Sequence, residues 1–293
     1  NQNTENLYPY IQLMKFVAQD PDSHWLINNS RPNTANAPDL ISALLGWETM
    51  RSWNIGFDLG MLNNRLTVSF DWFNRKTINM VGPAPELPVT LGANVPKMNN
   101  ADMQSTGFEL DLGWRDRIKD FDYGVHLLLS DDRQKILKYP NTTGKINTWY
   151  VGKYNGDIWG FETIGIAKSQ EEMDAHLASL PNGGQDALGV KWGAGDIMYR
   201  DLNGDGKISD GATLNDPGDK KVIGNTSPRF RFGLDLNASW KGIDVRLFFQ
   251  GVAKRDAWLN DNMFWGATGG IWQSACFTSH LDFFREEGDD FWS

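Results

Sequence analysis

Cysteine is nearly absent. The single Cys276 forms no internal disulfide, so no disulfide framework braces the chain. Long apolar runs are missing as well: no stretch approaches the about 18 consecutive apolar residues that a transmembrane helix needs. Positive charge is in deficit, with 28 Lys and Arg against 37 Asp and Glu and a net charge of −9. A phosphate backbone requires a basic surface, so nucleic acid is not an expected partner. The N-terminal NQNTENLYPY lacks the charged and apolar regions of a signal peptide. Catalytic constellations are missing too. His24, His126, His176 and His280 are scattered, without the paired spacing of a metalloprotease. Acids are so numerous that pairs such as Glu171-Glu172 say nothing about a glycosidase. The expectation is that the chain is not an enzyme.

What is present is alternation. In Ser52–Leu62 the residues Trp53, Ile55, Phe57, Leu59 and Met61 are apolar, and those between are polar or small. After Asn63-Asn64 the pattern returns with Leu66, Val68, Phe70 and Trp72, which predicts a β-hairpin. Ser105–Arg115, Phe121–Ser130, Arg229–Trp240 and Ile243–Phe249 repeat it. These runs are about nine to twelve residues long, whereas globular strands run about five or six and a tilted membrane strand needs about 9–11. Short connections (63–64, 116–120, 241–242) alternate with long ones (75–104, 131–228, 253–280). The first long connection carries Pro83, Pro85, Pro88 and Pro96. The face opposite the apolar one bears Asp58, Asp71, Glu109, Asp111, Asp122, Arg231 and Asp235, so it meets water or a polar filling. A soluble β-sandwich with one wet face gives the same alternation. Strand length, loop alternation and tryptophans at the ends of the runs (Trp53, Trp72, Trp114, Trp240) favour an antiparallel transmembrane β-barrel segment, all-β in class.

The insert 131–228 holds two local signals. Ser169 with Glu172 three residues on makes a capping box, and Pro181 stops the helix, so Lys168–Leu180 reads as helical. The second signal is Asp201-Leu202-Asn203-Gly204-Asp205-Gly206-Lys207-Ile208. Oxygen donors at its first, third and fifth positions, glycine at the sixth and a backbone carbonyl at the seventh (Lys207) fit a Ca²⁺ loop of the EF-hand type. The twelfth position is Ala212 rather than an acid. The last ligand therefore comes from Asp210, Asp216 or Asp219, with Asp219 favoured because Gly211–Gly218 is an insertion. A structural Ca²⁺ is the expectation, and an Asx-rich turn without metal is the plainer alternative. The loop aromatics Trp149, Tyr154, Trp159, Trp192, Trp258 and Trp265 are candidates to stack on a substrate, or else to pin the long loops together.

Longer motifs point to a family. GWETMRSWNIGFDLGMLNNRLTVSFDWFNRKT (46–77), NADMQSTGFELDLGW (100–114), GDIMYRDLNGDGKI (195–208), KVIGNTSPRFRFGLDLNASWKGIDVRLFFQGV (221–252) and the WGATGG of 265–270 resemble SusC/RagA-type TonB-dependent outer-membrane transporters. The resemblance runs from about residue 46 to about 284 and implies the C-terminal part of a barrel of about 22 strands. On that reading residues 1–293 are a partial receptor barrel and 131–228 is a long extracellular insert. It further implies TonB-driven import of an oligosaccharide or a peptide beneath a SusD-like lipoprotein lid, in outer-membrane lipid. TonB would act through a plug that this chain does not carry. The alternative is a secreted, calcium-stabilised, glycan-binding β-sandwich.

Overall fold

The structure, a computed structural model, describes residues 14–22, 25–36, 45–83, 97–259 and 278. Its strands in chain order are β1 (Lys15–Val17), β2 (Thr34–Asn36), β3 (Thr49–Met61), β4 (Leu66–Gly82), β5 (Met98–Ile118) and β6 (Phe121–Lys138). There follow β7 (Asp157–Phe161), β8 (Thr163–Ile166), the helix α1 (Gln170–Ala178), β9 (Ile197–Tyr199), β10 (Lys220–Asn225), β11 (Arg229–Trp240) and β12 (Ile243–Lys254). These strands pair antiparallel, and a parallel isolated bridge joins Gly184 to Lys207. The principal sheet has the order β12-β11-β6-β5-β4-β3, and β1-β2, β10-β7 and β8-β9 form two-stranded sheets. Two compact units emerge, one of 1–142, 150–153 and 236–245, the other of 143–149, 154–235 and 246–293.

The first unit is a wall. Direct cross-strand partners share a face, so its register can be followed row by row. Met61, Leu66, Trp114 and Val125 form one row, Leu59, Val68, Leu112 and Leu127 the next, and Phe57, Phe70, Leu110 and Leu129 a third. Ile55, Trp72 and Phe108 continue the apolar face, and Trp53, Asn74, Thr106 and Arg133 end it. The rings of Phe57 and Phe70 stand 5.6 Å apart and those of Phe70 and Phe108 6.2 Å. At about 3.3 Å per residue, the nine positions from Trp53 to Met61 cover the length of a tilted membrane strand. Trp53 is 74% exposed and Phe57 50%. None of the buried apolar residues among those described belongs to these rows, so among the described residues no apolar core is built on them. A sandwich would bury that face, whereas a barrel turns it to lipid.

Alternation understates the strands. β4, β5 and β6 have 17, 21 and 18 residues. Their extra turnless stretches, Asn74–Gly82, Met98–Gln104 and Asp131–Lys138, lie past the last apolar row. There both faces lose the apolar–polar contrast, but the backbone ladder continues, as in Arg75↔Ser105 and Ser105↔Gln134. The insert accordingly begins after Lys138 rather than at 131, and the proline-rich connection shrinks to 83–97. Trp72, expected at a strand end, falls within β4 for the same reason. The short turns form as expected: Asn63 and Asn64 take φ of 57° and 62° and Gly242 86°, values that Asn and Gly favour, and Leu62 at 55° and Lys241 at 47° are carried into the same region beside them. Two successive positive-φ residues match the twist of a hairpin.

The opposite face is wet. His126 Nε2 lies 2.6 Å from Asp111 Oδ1, and Phe73 Cζ sits 2.7 Å from where a Cβ on Gly107 would stand. In the second unit Arg246 Nε donates to Asp235 Oδ2 at 2.8 Å across β11 and β12.

Candidate functional site

The second unit is built by local devices. Ser169 Oγ accepts from Glu172 N at 3.2 Å and caps α1, while Glu172 Oε2 reaches back to Lys168 N at 2.8 Å. The helix runs from Gln170 to Ala178, inside the expected span. Met173 is fully buried and joins Ala167 and Met198 in a small core, against which Leu177 and Trp192 pack. Gln185 is fully buried. Its Oε1 accepts from Tyr199 N at 2.7 Å, its Nε2 donates to Ile197 O at 3.1 Å, and His176 Nε2 lies 2.9 Å from the same oxygen. A buried amide held so completely ties α1 to β9. Burial, then the nearby Asp196, pushes the Tyr199 phenol above its ordinary pKa.

The loop after β9 gathers carboxylates. Asp201, Asp205 and Asp219 each offer an oxygen, all lying within 4.8 Å of one another. Asp201 accepts from Gly204 N at 2.6 Å and from Gly206 N at 2.8 Å. Asn203 Oδ1 accepts from Asp205 N at 2.9 Å, and Asp205 Oδ1 from Lys207 N at 3.1 Å. Gly204 and Gly206 supply φ of 74° and 79°, which the tight loop requires.

Asp219 reaches this group through a pinch in the backbone. A Cβ on Gly218, whose φ is 60°, would collide with Ser209 O, and one on Gly211 with the 216–218 backbone. Asp210 bridges Gly218 across that neck. The excursion 211–218 thus closes on itself and returns the chain to the loop. Asp219 is fully buried. Its Oδ1 accepts from Leu202 N and its Oδ2 from Ser209 N, both at 2.7 Å, and Ser209 Oγ donates to Oδ2 at 3.1 Å. The other two candidates for the last ligand are engaged elsewhere: Asp210 pairs with Lys220, and Asp216 turns its carboxylate to Gly218 N.

Among the described residues no Lys or Arg pairs with Asp201, Asp205 or Asp219. Burial, the largest single influence on Asp201, pushes its pKa up. The N–H groups of Gly206, Gly204 and Asp205 and a hydrogen bond with Asp219 outweigh it and hold the carboxyl below its ordinary range. The cluster therefore brings three carboxyl groups together, steadied by backbone N–H groups. A hard cation that takes oxygen ligands suits such a donor set, and a soft or nitrogen-seeking metal does not.

The expected substrate aromatics fall in different settings. Trp192 donates from Nε1 to Gly189 O at 3.1 Å and meets Tyr199 edge-on at 6.5 Å, so it serves the small core. Trp159 sits on β7 directly opposite Val222 of β10. Tyr154 starts the turn into β7, its N–H donating to Asp157 Oδ2 at 2.9 Å, and Trp149 is half-buried. Trp258 is exposed, with Cζ3 3.8 Å from the Cβ position of Gly160. Trp265 lies outside the described residues.

Sequence reasoning missed one hub. Asn225 Nδ2 donates to Asn155 O at 3.0 Å and to Asp157 Oδ1 at 2.9 Å. Its Oδ1 accepts from Ser227 N at 2.8 Å, and its backbone exchanges bonds with Asp256 at 2.8 and 3.0 Å. The Asn-Thr-Ser-Pro run was the available signal, since Asn before such a run favours side-chain turns. The partners at Asn155 and Asp256 have no local signature.

Known proteins share this architecture. The family model described as TonB dependent receptor-like, beta-barrel, matches residues 5–273. TonB-dependent receptor P3 of Formosa agariphila is 25% identical over 259 residues, covering 84% of this chain and 24% of that protein. TonB-dependent receptor SusC of Bacteroides thetaiotaomicron is 25% identical over 238 residues, covering 78% of this chain and 21% of SusC. The solved structure of the RagAB peptide transporter superposes with a TM-score of 0.63 at 22% identity, covering 96% of this chain and 28% of that one. This chain thus spans about a quarter of the length of these relatives.

Proposed function

Because this chain belongs to the TonB-dependent receptor-like β-barrel family and is an outer-membrane barrel segment, we propose that its parent protein imports a nutrient, an oligosaccharide, across the outer membrane. The observation that carries the proposal is the wall: apolar rows of membrane length on one face, left uncovered, and charged and small residues on the other. That division lets the same strands face lipid outside and a water-filled path inside. In this reading TonB supplies the work through a plug carried elsewhere in the parent protein, and a SusD-like lipoprotein covers the external opening. The chain's own residues form wall and binding rim and perform no catalysis.

A second observation favours peptide as the cargo, since one structural neighbour is named a peptide transporter. Growth of a deletion strain on single oligosaccharides and on peptides separates the two. Loss of growth on an oligosaccharide, restored by the full-length gene, is the expected result. Loss confined to peptides would replace the cargo, and recovery of the full-length protein as a soluble periplasmic species would overturn the import reading.

The proposal extends to the loop at Asp201. A Ca²⁺ held by Asp201, Asn203, Asp205, the Lys207 carbonyl and Asp219 would supply positive charge among three carboxylates and stiffen the insert without entering any reaction. Chelation of the purified full-length protein should then lower its melting temperature, with Ca²⁺ restoring it. Unchanged melting would reduce the loop to an Asx-rich turn.

A further inference from the structure

The face of β7 and β10 that carries Gly160 combines an apolar plate with two cations that share one carboxylate. Gly160 has no side chain, and two others take its place: Ile223 Cδ1 lies against its Cβ position and Trp258 Cζ3 stands 3.8 Å from it. Trp258 remains 63% exposed and Ile223 44%. Lys221 is the direct partner of Gly160 across the ladder and so projects from the same face. Its ammonium pairs with Glu162, two residues from Gly160, and Arg200 Nε meets the other oxygen of that carboxylate at 3.3 Å. Two cations thus share one anion, and their side chains are 55% (Arg200) and 48% (Lys221) exposed. A guanidinium has five N–H donors, so Arg200 keeps donors for a second anion. The Asp256 carboxylate lies farther along the same face, against Gly224 opposite Ile158, so the positive charge is confined to the end where Arg200 and Lys221 meet.

We infer that this face is a subsite for an anionic pyranose, with the sugar ring stacked on Trp258 and its carboxylate or sulfate met by Arg200 and Lys221. A tryptophan ring presents a flat apolar surface that suits the C–H face of a pyranose. The planar fork of arginine suits a carboxylate or sulfate. Glu162 keeps the two cations in place and cancels one of their charges, so the subsite favours an anion without trapping it. The inference rests on the importer reading and names the class of sugar within it.

The test uses the full-length protein in detergent with three probes of equal length: trigalacturonate, a sulfated galactotriose and neutral galactotriose. Both anionic probes are expected to bind at least about tenfold more tightly than the neutral one. Trp258→Ala should weaken all three about tenfold and Trp258→Phe less, because a smaller ring remains. The double variant R200Q/K221Q should bring the anionic probes to within about twofold of the neutral one. Heat-modifiable migration checks that each variant is folded. A preference for only one anionic probe assigns the subsite to carboxylate or to sulfate. Equal binding of all three probes, or a preference untouched by R200Q/K221Q, overturns the subsite and leaves sugar import standing. Binding of a peptide mixture with none of the sugars overturns both the subsite and the sugar cargo.

Discussion

The wall and the insert reach order by opposite routes. In the wall, order comes from repetition: each strand pairs with its neighbours over a dozen or more positions, and among the described residues none of the apolar rows belongs to a buried core. In the insert, paired strands are only three to six residues long. Order comes instead from single residues used completely, such as Gln185, Asp219 and Asn225. Repetition tolerates any one loss on its wet face. A chain held by single residues does not.

That contrast is open to test, beginning with the wall. Phe57→Arg sets a charge in the middle of the apolar rows and should cost about 2–4 kcal/mol at the bilayer midplane. Ser69→Arg, on the wet face, should stay within about 0.5 kcal/mol. Urea titration of the full-length protein in lipid vesicles reads both, and equal costs would remove the distinction between the faces. Next, Asp219→Ala strands the N–H groups of Leu202 and Ser209 and should destabilise the insert by about 2–3 kcal/mol. Limited proteolysis should then cut within 201–219 while heat-modifiable migration persists. Loss of both would show that the insert and the wall do not fail separately. A smaller effect is expected of Ser169→Ala, about 1 kcal/mol for a lost helix cap, seen as faster amide exchange confined to α1.

Acid should produce the smallest change. The folded-state pKa of Asp201 is depressed, so its contribution to stability is fully present above the unfolded value. It fades as pH falls through the folded one, below about pH 4. Protease sensitivity of 201–219 should therefore rise at pH 3 relative to pH 7. A rise on going alkaline instead would contradict the direction of the shift.

The two regions also differ in how openly their sequences declare them. Rows such as Phe57, Phe70 and Leu110 follow from alternation alone, because a strand repeats every two residues and one face sees a single environment. Alternation could not show that β4 continues from Asn74 to Gly82, where mostly half-buried residues of mixed polarity stand on both faces while the ladder goes on. In the insert, the Ser169 cap and the oxygen pattern from Asp201 to Lys207 are local and were legible. The neck formed by Gly211 and Gly218 was partly so, since the insertion pointed to Asp219. The link from Asn225 to Asn155 and Asp256 joins residues 70 and 31 positions apart, and no local rule marks such partners.

One consequence of the Asn225 link concerns exchange of parts. Asp157 and Asn225 are cross-strand partners, so the chain between them begins and ends at one place. Closing a loop of any length across that pair costs only an entropy that grows slowly with length. A stretch bounded in this way is a cassette: it can be shortened, lengthened or replaced while residues 157 and 225 still meet. Sequence change can then accumulate in the cassette and leave the ladder from β3 to β6 unaltered.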